Sequence, residues 1–175
     1  MISKRSAGFT LLELMTAVGI SAILLAIAVP AFRNITVNSQ LTAQVNDLVS
    51  ALNVARSEAI KRNGTITFCR APLATSTACA TSAGDWANWI VRTSGGTVLR
   101  RGTVATDSAI AVVSDLDTDT MTFSSDGLAR TGGALVTLKT IRVSTTKLSR
   151  DNLRCITVGG GSRISTKPQT GPTCT

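Results

Sequence analysis

The sequence has no histidine and no tyrosine among its 175 residues. His-based triads, His metal sites and most general acid–base designs are thereby excluded. Ser-Lys chemistry survives that test, but no motif suggests it. Aromatic residues are scarce, with four Phe and two Trp. A core takes most of them, so Trp86 and Trp89 are expected in packing rather than on a binding platform. The four cysteines, Cys69, Cys79, Cys155 and Cys174, contain no CxxC pair. That spacing disfavours a zinc or thioredoxin-like site. Charge is missing from one long stretch: residues 14–32, between Glu13 and Arg33, carry none.

As a helix those 19 residues span about 28 Å, roughly the hydrocarbon thickness of a bilayer. The segment reads as membrane-spanning. Lys4 and Arg5 precede it and are expected to hold its N-terminus on the cytoplasmic side. Signal-peptide grammar does not fit. The small residue Gly8 comes before the apolar run, whereas a secretory cleavage site follows one. Glu13 lies inside the run, where a carboxylate costs about 2.5–3.5 kcal/mol unless it finds a partner. A cut after Gly8 would create one, the new amino group of Phe9. If many copies pack side by side, Glu13 of one can pair with the Phe9 amine of its neighbour.

The stretch Gly8-Phe9-Thr10-Leu11-Leu12-Glu13 and its apolar helix resemble the class III signal of type IV pilins and type II secretion pseudopilins. The resemblance implies cleavage between Gly8 and Phe9 by a prepilin peptidase and N-methylation of Phe9. It makes Glu13 the carboxylate that guides assembly, and Pro30 the helix-kinking proline. A second segment, residues 55–63, resembles the end of the long helix in the FimT/GspH branch of minor pilins and pseudopilins. The branch continues with a strand ending in Cys, a Trp-bearing strand and a later Phe…Gly turn. Here these are residues 65–69, Trp86 with Trp89, and residues 123–127.

The implied fold is α+β, a long N-terminal helix on a head of antiparallel sheets. The expected organisation is a leader (1–8), a transmembrane and filament-core helix (9–32), its amphipathic half (33–64) and the head (65–175). After Arg33 the helical pattern becomes one-sided. Leu41, Val45, Leu48, Leu52, Ala55 and Ala59 advance by four and three and share a face. Gln40, Gln44, Asp47 and Arg62 are expected largely off it. One helix is expected from about Phe9 to Arg62, broken locally near Gly19 or Pro30, with Asn63-Gly64 as its stop.

Strands are expected at 65–70, 89–93, 97–101, 110–114, 121–124, 154–158 and 163–166. Residues 135–139 and 141–144 read as one bent strand. Gly95-Gly96 and Gly159-Gly160-Gly161 mark hairpins. Export makes disulfides the natural reading of the cysteines. Four cysteines allow three connectivities. Cys69–Cys79 with Cys155–Cys174 is preferred, because each pair is close in sequence and spans a loop rich in turn residues. The sequence does not fix the choice.

Two candidate sites remain. Asp115, Asp117 and Asp119, with Asp126 further on, have the spacing of a calcium loop. Thr120 stands where that loop needs Gly, so a solvated acidic turn is the preferred reading and no metal or other cofactor is expected. The net charge of +8 is uneven: from Arg130 onward there are eight Lys or Arg against Asp151 alone. That block reads as solvated surface or as a face for an anionic partner.

Some FimT proteins capture DNA and share a C-terminal Gly-Arg-x-Arg. This chain has Gly160-Gly161-Ser162-Arg163, with Gly161 at the first Arg position. The candidate DNA contacts are Arg100 and Arg101 at the end of an expected hairpin and Arg163 with Lys167 in the C-terminal loop, with Arg154 standing in for the missing Arg if it faces the same side; the reading requires that they converge on one exposed face. Contact would be to phosphates.

The sequence therefore predicts a non-enzymatic minor pilin or pseudopilin. Its expected partners are other pilins, the prepilin peptidase and the inner membrane. The expected location is the bacterial inner membrane with the head periplasmic, and then a type IV pilus or type II secretion pseudopilus. The alternative is a DNA-binding minor pilin in DNA uptake, with double-stranded DNA as partner.

Overall fold

The computed structural model describes residues 9–105 and 109–174, and of Pro30 the backbone only. The chain divides into two compact units between Thr36 and Val37. Helix α1, Leu11–Lys61, contributes to both. It is unbroken at Gly19 and Pro30, against the local break expected there. A proline inside a helix removes one hydrogen bond and bends the axis at its own turn, and here the helical turns continue on both sides of it.

In the first unit, the helix presents apolar side chains all round. Its most hydrophobic 18-residue window is wholly exposed, and by length and composition it is apolar enough to cross a membrane. Its hydroxyls are satisfied internally: Thr16 Oγ1 donates to the Glu13 carbonyl at 2.9 Å and Ser21 Oγ to the Ala17 carbonyl at 2.7 Å. Such bonds let hydroxyls sit in hydrocarbon without a water partner.

The second unit packs the end of α1 on two antiparallel sheets. The first has the order β3-β2-β1-β5-β6-β7 and the second β10-β9-β8-β4. In chain order the strands are β1 (Ile66–Ala71), β2 (Asn88–Thr93), β3 (Val98–Thr103), β4 (Ile110–Ser114) and β5 (Thr120–Phe123), then β6 (Ala129–Thr131), β7 (Ala134–Leu135), β8 (Leu138–Thr145), β9 (Leu153–Gly159) and β10 (Arg163–Gln169). Paired residues share a sheet face, so the registers sort the side chains. Ile66 and Phe68 pair with Phe123 and Met121, and Ile141 pairs with Ile156. All six are buried in one cluster with Leu41, Leu48, Leu52 and Ala55 of the helix. Each fully buried Leu, Ile or Phe contributes about 1.5–3 kcal/mol.

The helix stripe is as the periodicity requires: all six of its residues are buried. Gln44 is not off that face, however. It is 7% exposed, and its Oε1 accepts the Ala105 N–H at 3.1 Å. A buried side-chain amide is tolerable because a backbone donor from the sheet layer meets it. The helix stops at Asn63, whose φ is +47°, while the Gly64 N–H closes on the Ala59 carbonyl at 3.0 Å.

The single bent strand expected over 135–144 is two strands in two sheets. Leu135 ends β7 of the first sheet, and Leu138 opens β8 of the second. The chain crosses between layers in the two residues between. Strand β6 leaves no mark in the sequence, because three residues carry too little alternation. Trp86 and Trp89 are buried and flank Phe68, with ring centroids 5.4 and 5.9 Å away. Gly102 is required beneath Trp89, where a Cβ would stand 2.2 Å from the indole.

Candidate functional site

The N-terminal site begins at Thr10, which caps α1. Its Oγ1 accepts the Glu13 N–H at 3.2 Å, and its carbonyl accepts the Leu14 N–H at 3.1 Å. Thr10-Leu-Leu-Glu13 thus has the threonine and glutamate spacing of a capping box, a signal the sequence reading passed over. It places the Glu13 carboxylate in the first turn, where unpaired N–H groups and the helix dipole favour negative charge. Glu13 and Phe9 are both exposed. Gly8, and with it the expected scissile bond, lies outside the described residues.

The two cysteine pairs are Cys69–Cys79 and Cys155–Cys174. Each lies away from the main core cluster. Cys69, Ala71 and Ile90 form a smaller cluster on the far face of the first sheet, with Cys79 and Val98 packed against it. The loop that follows is pinned again where the Ala80 N–H donates to the Arg70 carbonyl at 2.8 Å. Arg101 Nη1 reaches the Ala74 carbonyl at 2.6 Å. Cys174 brings the C-terminal tail back across the second sheet, where Arg142 Nη1 donates to the Pro172 carbonyl at 3.1 Å.

The acidic run does not form a cage. Asp119 is 1% exposed. Its Oδ2 accepts from Arg70 Nε at 3.0 Å and from the Gly84 N–H at 2.7 Å, and its Oδ1 from Ser114 Oγ at 2.6 Å. Asp115 Oδ1 accepts the Thr140 N–H at 2.6 Å, and Asp117 lies 4.0 Å from Lys139. Asp126 accepts from the Leu128 N–H at 2.9 Å and Arg130 at 3.2 Å. These carboxylates serve separate donors, and among the described residues no cluster of acids and sulfur or imidazole ligands converges.

The five candidate DNA contacts do not converge either. Arg100 lies over the Trp89 ring at 5.8 Å and reaches inward to Asp47 at 2.7 Å and Ser50 at 2.6 Å. Arg101, next along β3, points to the opposite face of that sheet. Arg154 pairs with Val143, whose face is the core face, and donates to Asn38 of the helix at 2.6 Å. Arg163 and Lys167 pair with Gly159 and Cys155, on the other face of the second sheet. Arg154 therefore cannot supply the arginine that Gly161 replaces, because neighbouring strand positions alternate in direction.

The comparisons with known proteins agree with this architecture. Residues 44–162 match the family model "Type II transport protein GspH", and residues 3–29 match the "Prokaryotic N-terminal methylation motif". The structure is similar to the type IV minor pilin FimU of Pseudomonas aeruginosa (strain PAO1) in two crystal forms. One gives a TM-score of 0.53 at 20% identity over 77% of this chain and 99% of that one. The other gives 0.55 at 18% identity over 78% and 96%. At such identities the likeness is one of fold. Two fimbrial proteins of P. aeruginosa are each 47% identical over 57 residues, 33% of this chain and 36% of theirs, so the match spans about a third of their length. The GspH match alone covers more than half of the chain, which therefore belongs to the type IV minor pilin and pseudopilin family, in its GspH branch.

Proposed function

We propose that the chain is a minor filament subunit that acts in assembling or priming a type IV pilus or a type II secretion pseudopilus. The carrying observation is the capped, exposed start of α1, with Glu13 in its first turn and an apolar surface behind it. A side chain that costs so much in hydrocarbon makes sense where a neighbouring subunit's amino group meets it. In this reading residues 1–8 are a leader removed by a prepilin peptidase after Gly8. Phe9 becomes the methylated N-terminus, residues 9–32 anchor the precursor in the inner membrane and then enter the filament core, and residues 33–64 carry the head, 65–175, outside. The chain is a peptidase substrate and a structural part, with no reaction of its own.

Mass spectrometry of the chain recovered from membranes tests the first step. The expected N-terminus is N-methylphenylalanine at position 9; an intact Met1 or a cut elsewhere overturns the reading. The second step is tested with Glu13→Val, which is expected to be cleaved normally, to remain in the membrane and to be absent from sheared filaments.

A further inference from the structure

We infer that the outward face of the second sheet, along its edge strand β10, is a docking site for an acidic, extended polypeptide segment of a neighbouring subunit. Strand β10 ends its sheet, so one side of its backbone has no strand partner. Arg163 and Lys167 both point to the outward face. Both are exposed, and among the described residues neither side chain has a hydrogen-bond or ion-pair partner. They lie four residues apart, about 13 Å along a strand.

Beside them is a groove of about 270 Å³ whose lining includes Leu138 and the Cys155–Cys174 bridge as well as Thr140, Thr157, Ser165 and Lys167. The tail held by Cys155–Cys174 provides one wall. The floor crosses three strands, where Thr140 pairs with Thr157 and Thr157 with Ser165, the last two hydroxyls bonded to each other at 2.7 Å.

The features select one class of occupant. A strand laid along β10 presents alternate side chains to one face, so carboxylates at its own positions i and i+4 match the spacing of the two cations. Of the hydroxyls only Ser165 lies between the two cations, and it is shared with Thr157 at 2.7 Å, so the cation spacing carries the selection. A neutral strand is discriminated against, because it would leave the Lys167 ammonium partly desolvated and unpaired. Pro168 has no N–H to offer and limits the docked length. Duplex DNA fits less well. Arg142, the third cation of this face, already holds the tail at Pro172. Two remaining phosphate contacts confer little affinity, and no aromatic lines the groove.

The partner's identity as a subunit rests on the filament reading above; the site itself is tested without it. The full chain in detergent micelles is titrated with a short peptide of alternating threonine and glutamate, with a threonine–glutamine peptide and with a short DNA duplex, and amide shifts are followed by NMR. The glutamate peptide is expected to shift Thr157, Ser165 and Lys167. Lys167→Ala and Arg163→Ala should each weaken it about two- to fivefold, as exposed ion pairs do, while leaving the spectrum of the free protein otherwise unchanged. Shifts confined to other surfaces, equal binding of the glutamine peptide, or tighter binding of the duplex through the same two cations would each overturn the inference.

Discussion

The carboxylate of Asp119 meets the guanidinium of Arg70 at 3.0 Å, with the acid 1% and the base 15% exposed. The pair joins β1 to the turn before β5. The Gly84 N–H and Ser114 hydroxyl on the same carboxylate bring in the segment between Cys79 and β2 and, from the other sheet, β4. Removing one partner leaves a buried charge uncompensated. Arg70→Ala is therefore expected to cost about 3–5 kcal/mol, read as a lowered midpoint in urea unfolding of the full chain in micelles. Replacement of both residues by apolar ones should cost less than Arg70→Ala alone. A loss below 1 kcal/mol for Arg70→Ala would mean that the turn relaxes to water.

Gly102→Ala tests the contact beneath Trp89. The added methyl meets the ring at 2.2 Å, so either the indole or β3 moves. Overpacking of this kind costs about 1–3 kcal/mol. The expected signature is a lower thermal midpoint together with an altered tryptophan near-UV spectrum. An unchanged spectrum would contradict the assigned packing.

The two disulfides close loops of 10 and 19 residues in sequence separation. Removing either is expected to cost about 2–4 kcal/mol. The Cys155→Ser/Cys174→Ser variant should in addition free the tail, seen as faster amide exchange across residues 170–174. The Cys69→Ser/Cys79→Ser variant should leave that exchange unchanged.

Acid stability carries a small electrostatic contribution. The Arg62 guanidinium beside Glu58, with Lys61 adding, holds that carboxyl below its ordinary range. For Asp126 the Leu128 N–H acts first and Arg130 second, in the same direction. A carboxyl depressed in the folded state stabilises above its unfolded pKa and loses that contribution as pH falls through the folded value. The loss is thus confined to pH below about 4. Arg130→Ala should show a shallower fall of the unfolding midpoint over that window than the parent, and parallel behaviour at neutral pH.

What the sequence revealed and what it hid follow from range. The helix stripe from Leu41 to Ala59 and the glycine-marked hairpins are local patterns, repeated at the period of the structure they form. Gln44 is misread because its burial depends on the Ala105 N–H, 61 positions away. The change of sheet between Leu135 and Leu138 leaves no local mark, since both strands look alike in sequence. The basic residues were individually visible. That Arg100 is spent on Asp47 and Arg154 on Asn38 required the helix to be placed against both sheets. The Thr10–Glu13 cap was legible all along and was eclipsed by the other significance of that glutamate.

The cysteines stand apart from the residues that make the main core. Neither bridge contributes a side chain to the cluster uniting α1 with the two sheets. The contacts of the main core therefore do not pass through the sulfurs. Phe68, Phe123 and Ile156 make their contacts within that cluster without a cysteine among them. A head with its sulfurs reduced would keep the cluster's contacts but lack the contribution of about 2–4 kcal/mol expected from each bridge, so slow oxidation would leave it closer to unfolding and looser at its borders.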